Sequence, residues 1–290
     1  MEMPSVIKIV HVSDTHVVAA PHTLYGLDPR DRLARAIADI ALRHDDAALC
    51  VVTGDLAHWG ERSAYAAFAG IWETCPVPTV LMIGNHDDRE AFKEVISPAM
   101  VDADGFVQGQ RLLGDLTCLF LDTASTGSHA GAYCERRRAS LAQALGEAPG
   151  DVLIFMHHPP FAVGVAAMDA IALADAEAFA AVVAPHRERI RHLFFGHLHR
   201  PISGSWRGIP FSCTRGLNHQ LSLDGQLRIE GSEDGGDIVG NREPPGYNVA
   251  LIAEDRIVVH AVAFLDQGAR FSLTAEETAG RSYALGMSAE

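Results

Sequence analysis

The sequence predicts an α/β fold, and three observations carry the prediction: short apolar runs of strand length, amphipathic stretches between them, and a turn-rich β texture after residue 200. The runs are VIKIVHV (6–12), LCVVTG (49–54), TVLMIG (79–84), TCLFLD (117–122), VLIFMH (152–157) and HLFFGH (192–197). Each is nearly continuously hydrophobic, which suits central strands of sheets covered on both faces. The clearest helix is DPRDRLARAIADIALRH (28–44), where Leu33, Ile37, Ile40 and Ala41 share one face and Pro29 suits a first turn. A second amphipathic stretch covers 135–148 and opens on ERRR, read as a solvated helix face. The apolar stretch 161–183 is interrupted by Asp169, Asp175 and Glu177 and reads as core and lid packing. Beyond it, ISGSWRGIPFSC, QLSLDGQLRIE and YNVALIAEDRIVVHAVAF read as short, mostly antiparallel strands joined by Gly- or Asp-containing turns. A single domain over 1–265, β-rich from about 200, with a tail at 266–290, is the expected organisation. The polar segment 231–246 is a long connection of the kind that is mobile or functional.

With 290 residues a substantial core is available. The formal net charge of -14 argues against a broad footprint for a nucleic acid polymer or an anionic membrane, and any anionic substrate needs a local cation. Cys50, Cys75, Cys118, Cys134 and Cys213 are scattered and never spaced as CxxC, so they read as reduced thiols. The first residues carry no signal-peptide pattern, and no apolar run approaches the ~18 residues of a membrane span. A soluble cytoplasmic protein is the expectation.

Polar residues cluster at or just after the C-terminal ends of five runs. VSDTH supplies Asp14 and His16, TGD supplies Asp55, IGNHDD supplies Asn85, His86 and Asp87, MHHPP supplies His157 and His158, and FGHLH supplies His197 and His199. Ligands of open α/β sheets bind outside the carboxyl ends of strands, so these groups are placed to converge. The donor set is carboxylate, imidazole and amide without thiolate, which suits Mn, Fe, Zn or Co. It exceeds the needs of one ion and fits two, ~3.5 to 4 Å apart, sharing a bridging carboxylate and a water. Two carboxylates against two divalent ions leave the centre cationic, so it attracts phosphate despite the acidic chain. His197 and His199, two apart in an extended segment, face the same way, a spacing that serves one ion or two equally well.

In order and rough spacing, DTH (14–16), GD (54–55), GNHD (84–87), HHPP (157–160) and GHLH (196–199) resemble the blocks of the calcineurin-like metallophosphoesterases. The resemblance covers about residues 6–200. Within that superfamily the chain looks most like the bacterial class III cyclic nucleotide phosphodiesterases and related glycerophosphodiesterases, with CTRGLNHQ (213–220) and PPGYNVALI (244–252) similar to their later segments. The resemblance implies a four-layer α/β/β/α sandwich of two mixed sheets with a dinuclear centre between them. It implies one ion on Asp14, His16 and His199, the other on Asn85, His157 and His197, and Asp55 bridging. It also implies that His86 contacts the phosphate and protonates the leaving alkoxide, while a hydroxide held between the ions attacks phosphorus in line. The expected partner is a small phosphodiester, a 3',5'-cyclic nucleotide or a glycerophosphodiester, and similar enzymes often form dimers or larger homo-oligomers.

His58, His219 and Arg215 are the further candidates on the substrate side. His11, His44, His186, His192 and His260 lie outside the blocks and read as surface or hydrogen-bonded histidines. Asp87 and Asp88 read as caps of a helix beginning near Arg89, with Asp87 also able to orient His86. His158 and Arg200 stay unassigned. A phosphomonoesterase or other phosphohydrolase of the same superfamily is the alternative; it calls for extra cations at the terminal phosphate oxygens, and only Arg89, Arg200 and Arg215 lie near the blocks. A non-catalytic scaffold is the remote alternative, since such proteins lose ligands and none of the seven positions is lost here.

Overall fold

The computed structural model describes residues 6–223 and 238–265. Its strands are β1 (Ile7–Val12), β2 (Leu49–Val52), β3 (Thr79–Leu81), β4 (Gly109–Leu113), β5 (Leu116–Phe120), β6 (Val152–Phe155), β7 (Ile190–Phe195), β8 (Ser203–Trp206), β9 (Ile209–Cys213), β10 (Gln220–Leu221), β11 (Gly240–Asn241), β12 (Gly246–Ile252) and β13 (Ile257–Ala263). The helices are α1 (Pro29–Arg43), α2 (Arg62–Trp72), α3 (Arg89–Val95), α4 (Glu135–Glu147), α5 (Ala166–Asp169) and α6 (Ala176–Val183). One sheet runs β13-β12-β1-β2-β3, the other β4-β5-β6-β7-β9-β8, and β10 pairs with β11 alone. Both large sheets are mixed. β1, β2 and β3 are parallel, as are β5, β6, β7 and β9, while β4, β8, β12 and β13 add antiparallel edges.

Side-chain alternation along the central strands sorts the apolar residues into three cores. Val10, Val12, Cys50 and Val52 face outward onto Leu33, Ile37, Phe68 and Phe92 of α1, α2 and α3. Ile9, Leu49 and Val51 face the second sheet, where Cys118, Phe120, Leu153, Phe155 and Phe194 meet them. Leu119, Ile154, Leu193 and Phe195 face the opposite way, onto Leu141 and Leu145 of α4 and Phe179 and Val183 of α6. Three cores make four layers, the α/β/β/α sandwich expected. His11 and His192 belong to the middle layer; their Nε2 atoms meet Thr53 Oγ1 at 3.0 Å and Ser212 Oγ at 2.9 Å, so both are structural.

Local chemistry sets the element ends. Asp28 accepts from the backbone N–H of Arg30 at 3.0 Å with Pro29 in the first turn of α1, and Asp88 accepts from Ala91 at 2.8 Å to start α3. Arg207 and Gly208, both at positive φ, close the two-residue β8–β9 hairpin. Three sequence expectations change. Antiparallel pairing after residue 200 holds for the two hairpins, whereas β9 runs parallel to β7. In QLSLDGQLRIE only Gln220–Leu221 is a strand among the described residues; residues 231–237 of the polar connection and the tail 266–290 lie outside them. ERRR is not wholly a solvated face: Arg137, 5% exposed, donates to the carbonyls of Asp122 and Ala124 at 2.7 and 3.1 Å.

Asp122, at the end of β5, is fully buried and takes a two-point ion pair from Arg89 at 2.7 and 2.9 Å. That pair ties the start of α3 to the second sheet across the sandwich. No helix among the described residues is long and apolar enough to cross a membrane.

Candidate metal centre

Both sheets deliver ligands to one place, because the loops that follow β1, β2, β3, β6 and β7 meet there. Asp14 and His16 follow β1, Asp55 follows β2, Asn85 and His86 follow β3, His157 follows β6, and His197 and His199 follow β7. The backbone turns sharply as each strand ends. Asp14, His16, Asp55, His197 and His199 sit at φ of 55, 45, 53, 68 and 49°, left-handed values that a residue with a Cβ adopts only at a cost of ~1–2 kcal/mol each. The neighbouring glycines are required by close approach. At Gly54, with φ of 112°, an added Cβ would lie 2.8 Å from His157 Nδ1, and at Gly84 it would strike the Asp55 carboxylate and the His157 ring.

The donors fall into two groups that share Asp55. In the first, one ligand atom each from Asp14, His16, Asp55 and His199 lies within 4.8 Å of all the others. His16 Nε2 is 3.1 Å from His199 Nε2 and 3.6 Å from Asp55 Oδ2, and His199 Nε2 is 3.4 Å from Asp14 Oδ1. In the second, Asn85 Oδ1 is 3.1 Å from His157 Nε2 and 2.9 Å from His197 Nδ1, while His157 Nε2 is 3.3 Å from Asp55 Oδ2.

Accounting for protons shows what the groups lack. His199 Nδ1 donates to the His219 carbonyl at 2.9 Å, so its Nε2 presents a lone pair, and the ring nitrogen of His16 faces that lone pair. His157 Nδ1 donates to the Thr53 carbonyl at 2.9 Å, and its Nε2 then faces a carboxylate and an amide oxygen. Asp14 Oδ2 and His197 Nε2 are buried without any hydrogen-bond partner. An unpartnered buried carboxylate oxygen and imidazole nitrogen among these converging N and O donors fit divalent metals.

The electrostatics favour the same occupant. Burial pushes the Asp55 carboxyl up, but His157, His86 and His16 around it push harder the other way, so it is held well below the ordinary carboxylate range. Burial holds His16 and His197 well below the usual imidazole value, so no proton competes for their lone pairs. His157 differs: burial lowers it, yet Asp55 beside it and the Thr53 carbonyl raise it to about 9.

His158 resolves against ligation, since both of its nitrogens are committed. Its Nδ1 accepts from Thr123 Oγ1 at 2.8 Å and its Nε2 donates to the His129 carbonyl at 3.1 Å. Burial and then the neighbouring His157 lower it to about 3, which keeps it neutral.

The family model of the calcineurin-like phosphoesterases matches residues 7–201. The chain belongs to the calcineurin-like phosphoesterase family. It is 47% identical to a probable cyclic nucleotide phosphodiesterase of Rhodopseudomonas palustris, over 92% of this chain and 96% of that one. It is 31% identical to a cAMP/cGMP dual specificity phosphodiesterase of Mycobacterium tuberculosis, over 90% and 80%. In fold it resembles a dimetal phosphatase from Danio rerio, with a TM-score of 0.64 and 15% identity over 90% of this chain and 97% of the other.

Beside these converging donors lies a cavity of about 650 Å³, and its walls place the remaining candidate residues. His58 and His219 both line it. His58 stacks on His86 with ring centres 4.7 Å apart, meets His16 Nδ1 at 3.0 Å, and accepts from His86 Nδ1 at 2.8 Å through its carbonyl. His219 packs on His199 at 4.3 Å. Arg215 does not line the cavity: it pairs with Glu243 at 3.2 Å, which also holds Arg200 at 3.6 Å, so neither arginine is free to meet a substrate. Asp87 is not a helix cap. It accepts from the N–H groups of Leu56, Ala57 and Gly84 and from the Tyr65 hydroxyl, all within 3.1 Å, and so clamps the GD loop to the GNHD loop; Asp88 alone caps α3. Sequence reasoning missed Tyr25, His129, Met168, Ile171 and Arg242, which also line the cavity. They lie outside the blocks, Met168 in α5 and the others between the named elements, and carry no motif signal.

Proposed function

We propose that this chain is a two-metal phosphodiesterase of small phosphodiesters and that 3',5'-cyclic nucleotides are its preferred substrates. The observation that carries the reading is the convergence of seven donors: His16, Asp55, Asn85, His197 and His199 line one cavity, and Asp14 and His157 lie buried against them. Asp14, His16 and His199 would hold one divalent ion, Asn85, His157 and His197 the other, and Asp55 both. Bound there, Mn, Fe, Zn or Co supplies Lewis acidity and an activated water near neutral pH.

The protein's own groups do the rest. The backbone N–H of His86 donates to Asp55 Oδ1 at 2.9 Å and its Nδ1–H to the His58 carbonyl, which fixes the ring; in the imidazolium form Nε2–H would bind a phosphoryl oxygen and hand its proton to the leaving alkoxide, leaving the neutral ring protonated on Nδ1. A diester suits the site better than a monoester because its cations are spent elsewhere. Arg89 is paired with Asp122 and Arg200 and Arg215 with Glu243, and among the described residues only Arg242 brings a guanidinium to the cavity wall. The wall also favours a nucleobase over a choline-like cation. Met168, Ile171, Leu198, Leu221 and Ile238 are apolar, Tyr25 is an exposed aromatic at 58%, and among the described residues Asp55 is the only carboxylate in the lining. The volume is within the range of sites for ligands of nucleotide size.

The test is a substrate panel on protein reconstituted with each metal: 3',5'-cAMP, 2',3'-cyclic nucleotides, glycerophosphocholine, bis(p-nitrophenyl) phosphate and p-nitrophenyl phosphate. The highest kcat/KM is expected on 3',5'-cAMP. A higher kcat/KM on the aryl monoester than on its bis-ester overturns the diester reading, and preference for glycerophosphocholine overturns the nucleotide reading.

A further inference from the structure

We infer that His129 is a positioning residue that holds the side-chain amide of Asn85 with its oxygen turned to the second metal site. An amide can present either end to a metal. Only the oxygen binds, and here Oδ1 points inward at His157 Nε2 and His197 Nδ1. The outward-facing NH2 therefore needs an acceptor, and His129 Nδ1 lies 2.9 Å from it. Asn85 Nδ2 can only donate, so His129 Nδ1 accepts, the ring proton sits on Nε2, and the exposed imidazole leans on His86 at 5.1 Å along the cavity wall.

The loop that carries His129 is built to hold it. Its carbonyl accepts from His158 Nε2 at 3.1 Å, and the far side of the His158 ring is fixed by Thr123 at 2.8 Å. Gly131 bridges to Leu173, exchanging hydrogen bonds with Ala172 and Ala174, and a Cβ at Gly131 would collide with the His158 ring. The adjacent histidines of HHPP thus divide the labour: His157 faces the metal site, and His158 fixes the loop whose side chain orients the other amide ligand. Partners that orient a ligand in this way typically change metal affinity 10–100-fold when removed.

The inference rests on Asn85 as a ligand of the second ion, and titration of metal-free full-length protein with Mn(II) tests both. His129→Ala and His129→Phe should weaken one of the two binding events, the same one that Asn85→Ala removes, about tenfold and leave the other unchanged. Phe keeps the ring's bulk, so a loss shared with Ala reports the missing acceptor rather than packing. His129→Gln, whose amide oxygen can accept from Asn85, should return the affinity to within about threefold of wild type. Thermal unfolding of the metal-free variants checks that each folds. If Asn85→Ala loses one ion while His129→Phe binds both as wild type does, the role of His129 is overturned and that of Asn85 stands. If Asn85→Ala binds both ions at full affinity, the ligand assignment itself falls.

Discussion

Loading the metal-free protein with divalent cation at pH 8 should release about two protons per chain, one from an imidazole and one from the metal-bound water that ionises near pH 7. The first follows from the imidazoles at the site. His16 and His197 are held well below their ordinary value by burial and are already neutral, and Asn85 carries no proton to lose. His157 is raised to about 9 against its own burial by Asp55, 3.3 Å away, so at pH 8 it is about nine-tenths protonated. A metal needs the lone pair on Nε2, and that proton must leave. The raised value has a consequence for stability. From 6.5 to about 9 it amounts to ~3 kcal/mol favouring the folded, metal-free protein, fully present below pH 6.5 and lost as pH rises through 9. At roughly 2–4 °C per kcal/mol, the metal-free melting temperature should fall by about 6–12 °C across that window, while metal-loaded protein does not follow. Calorimetric titration in three buffers of different ionisation enthalpy measures the release directly. The total should drop to about one and a half protons at pH 9, and Asp55→Asn should leave only the water's proton, because burial alone leaves His157 neutral. A release of only about one proton at pH 8, or one that is the same at pH 8 and pH 9, would refute the assignment of Asp55 and His157 to a shared metal position.

Three further outcomes are expected. Replacing His86 with Ala should lower kcat by about 10²–10⁴ with metal stoichiometry unchanged; loss of bound metal in that variant would make His86 a structural residue instead. Asp122→Ala strands Arg89 and removes the acceptor for the N–H groups of Val107 and Ala124, so chemical denaturation should show a loss of ~3–5 kcal/mol, and a loss under about 1 kcal/mol contradicts the clamp. His11 and His192 are lowered by burial to about 3 and about 4, so the stability they allow is present above 6.5 and lost as pH falls toward those values. From pH 7 to pH 5 each should cost about 2 kcal/mol, and His192→Asn should flatten that acid limb.

The sheets were legible in the sequence to the extent that burial wrote them there. β1, β2, β5, β6 and β7 have both faces covered, and their continuous hydrophobicity shows it. β4, GQRLL, is a half-exposed edge with alternating burial, a pattern too short to separate from loop. The candidate ligands stood out for a different reason: seven chemically costly residues at strand ends leave few bland explanations. The supporting residues were not. Arg215 looked free because its partner Glu243 lies 28 positions downstream, and Asp87 looked like a cap because its acceptor role reaches back 30 and 31 positions to Ala57 and Leu56. His129 is invisible from sequence because its contact with Asn85 depends on a loop pinned by a bridge between Gly131 and Leu173.

The backbone at the ligands explains how two sheets can serve one centre. A strand that continued straight would alternate its side chains to opposite faces, and Asp14 and His16 would stay on one face of one sheet. Turning left-handed at 14, 16, 55, 197 and 199 bends each chain end across the gap between the sheets. At ~1–2 kcal/mol per residue these five turns cost an amount comparable to the whole stability of a domain. The surrounding bonds hold the bends in place. Asp14 N donates to Gly54 O at 3.1 Å, His16 N to Asp55 O at 2.9 Å and His197 N to Asp14 Oδ1 at 3.1 Å, so each ligand's backbone is fixed by the loop that carries, or directly follows into, the next ligand. The strain is thus distributed around a closed ring of loops anchored in the three cores. A centre built this way is held by bonds within the protein, and a bound metal would supply positive charge among its converging donors.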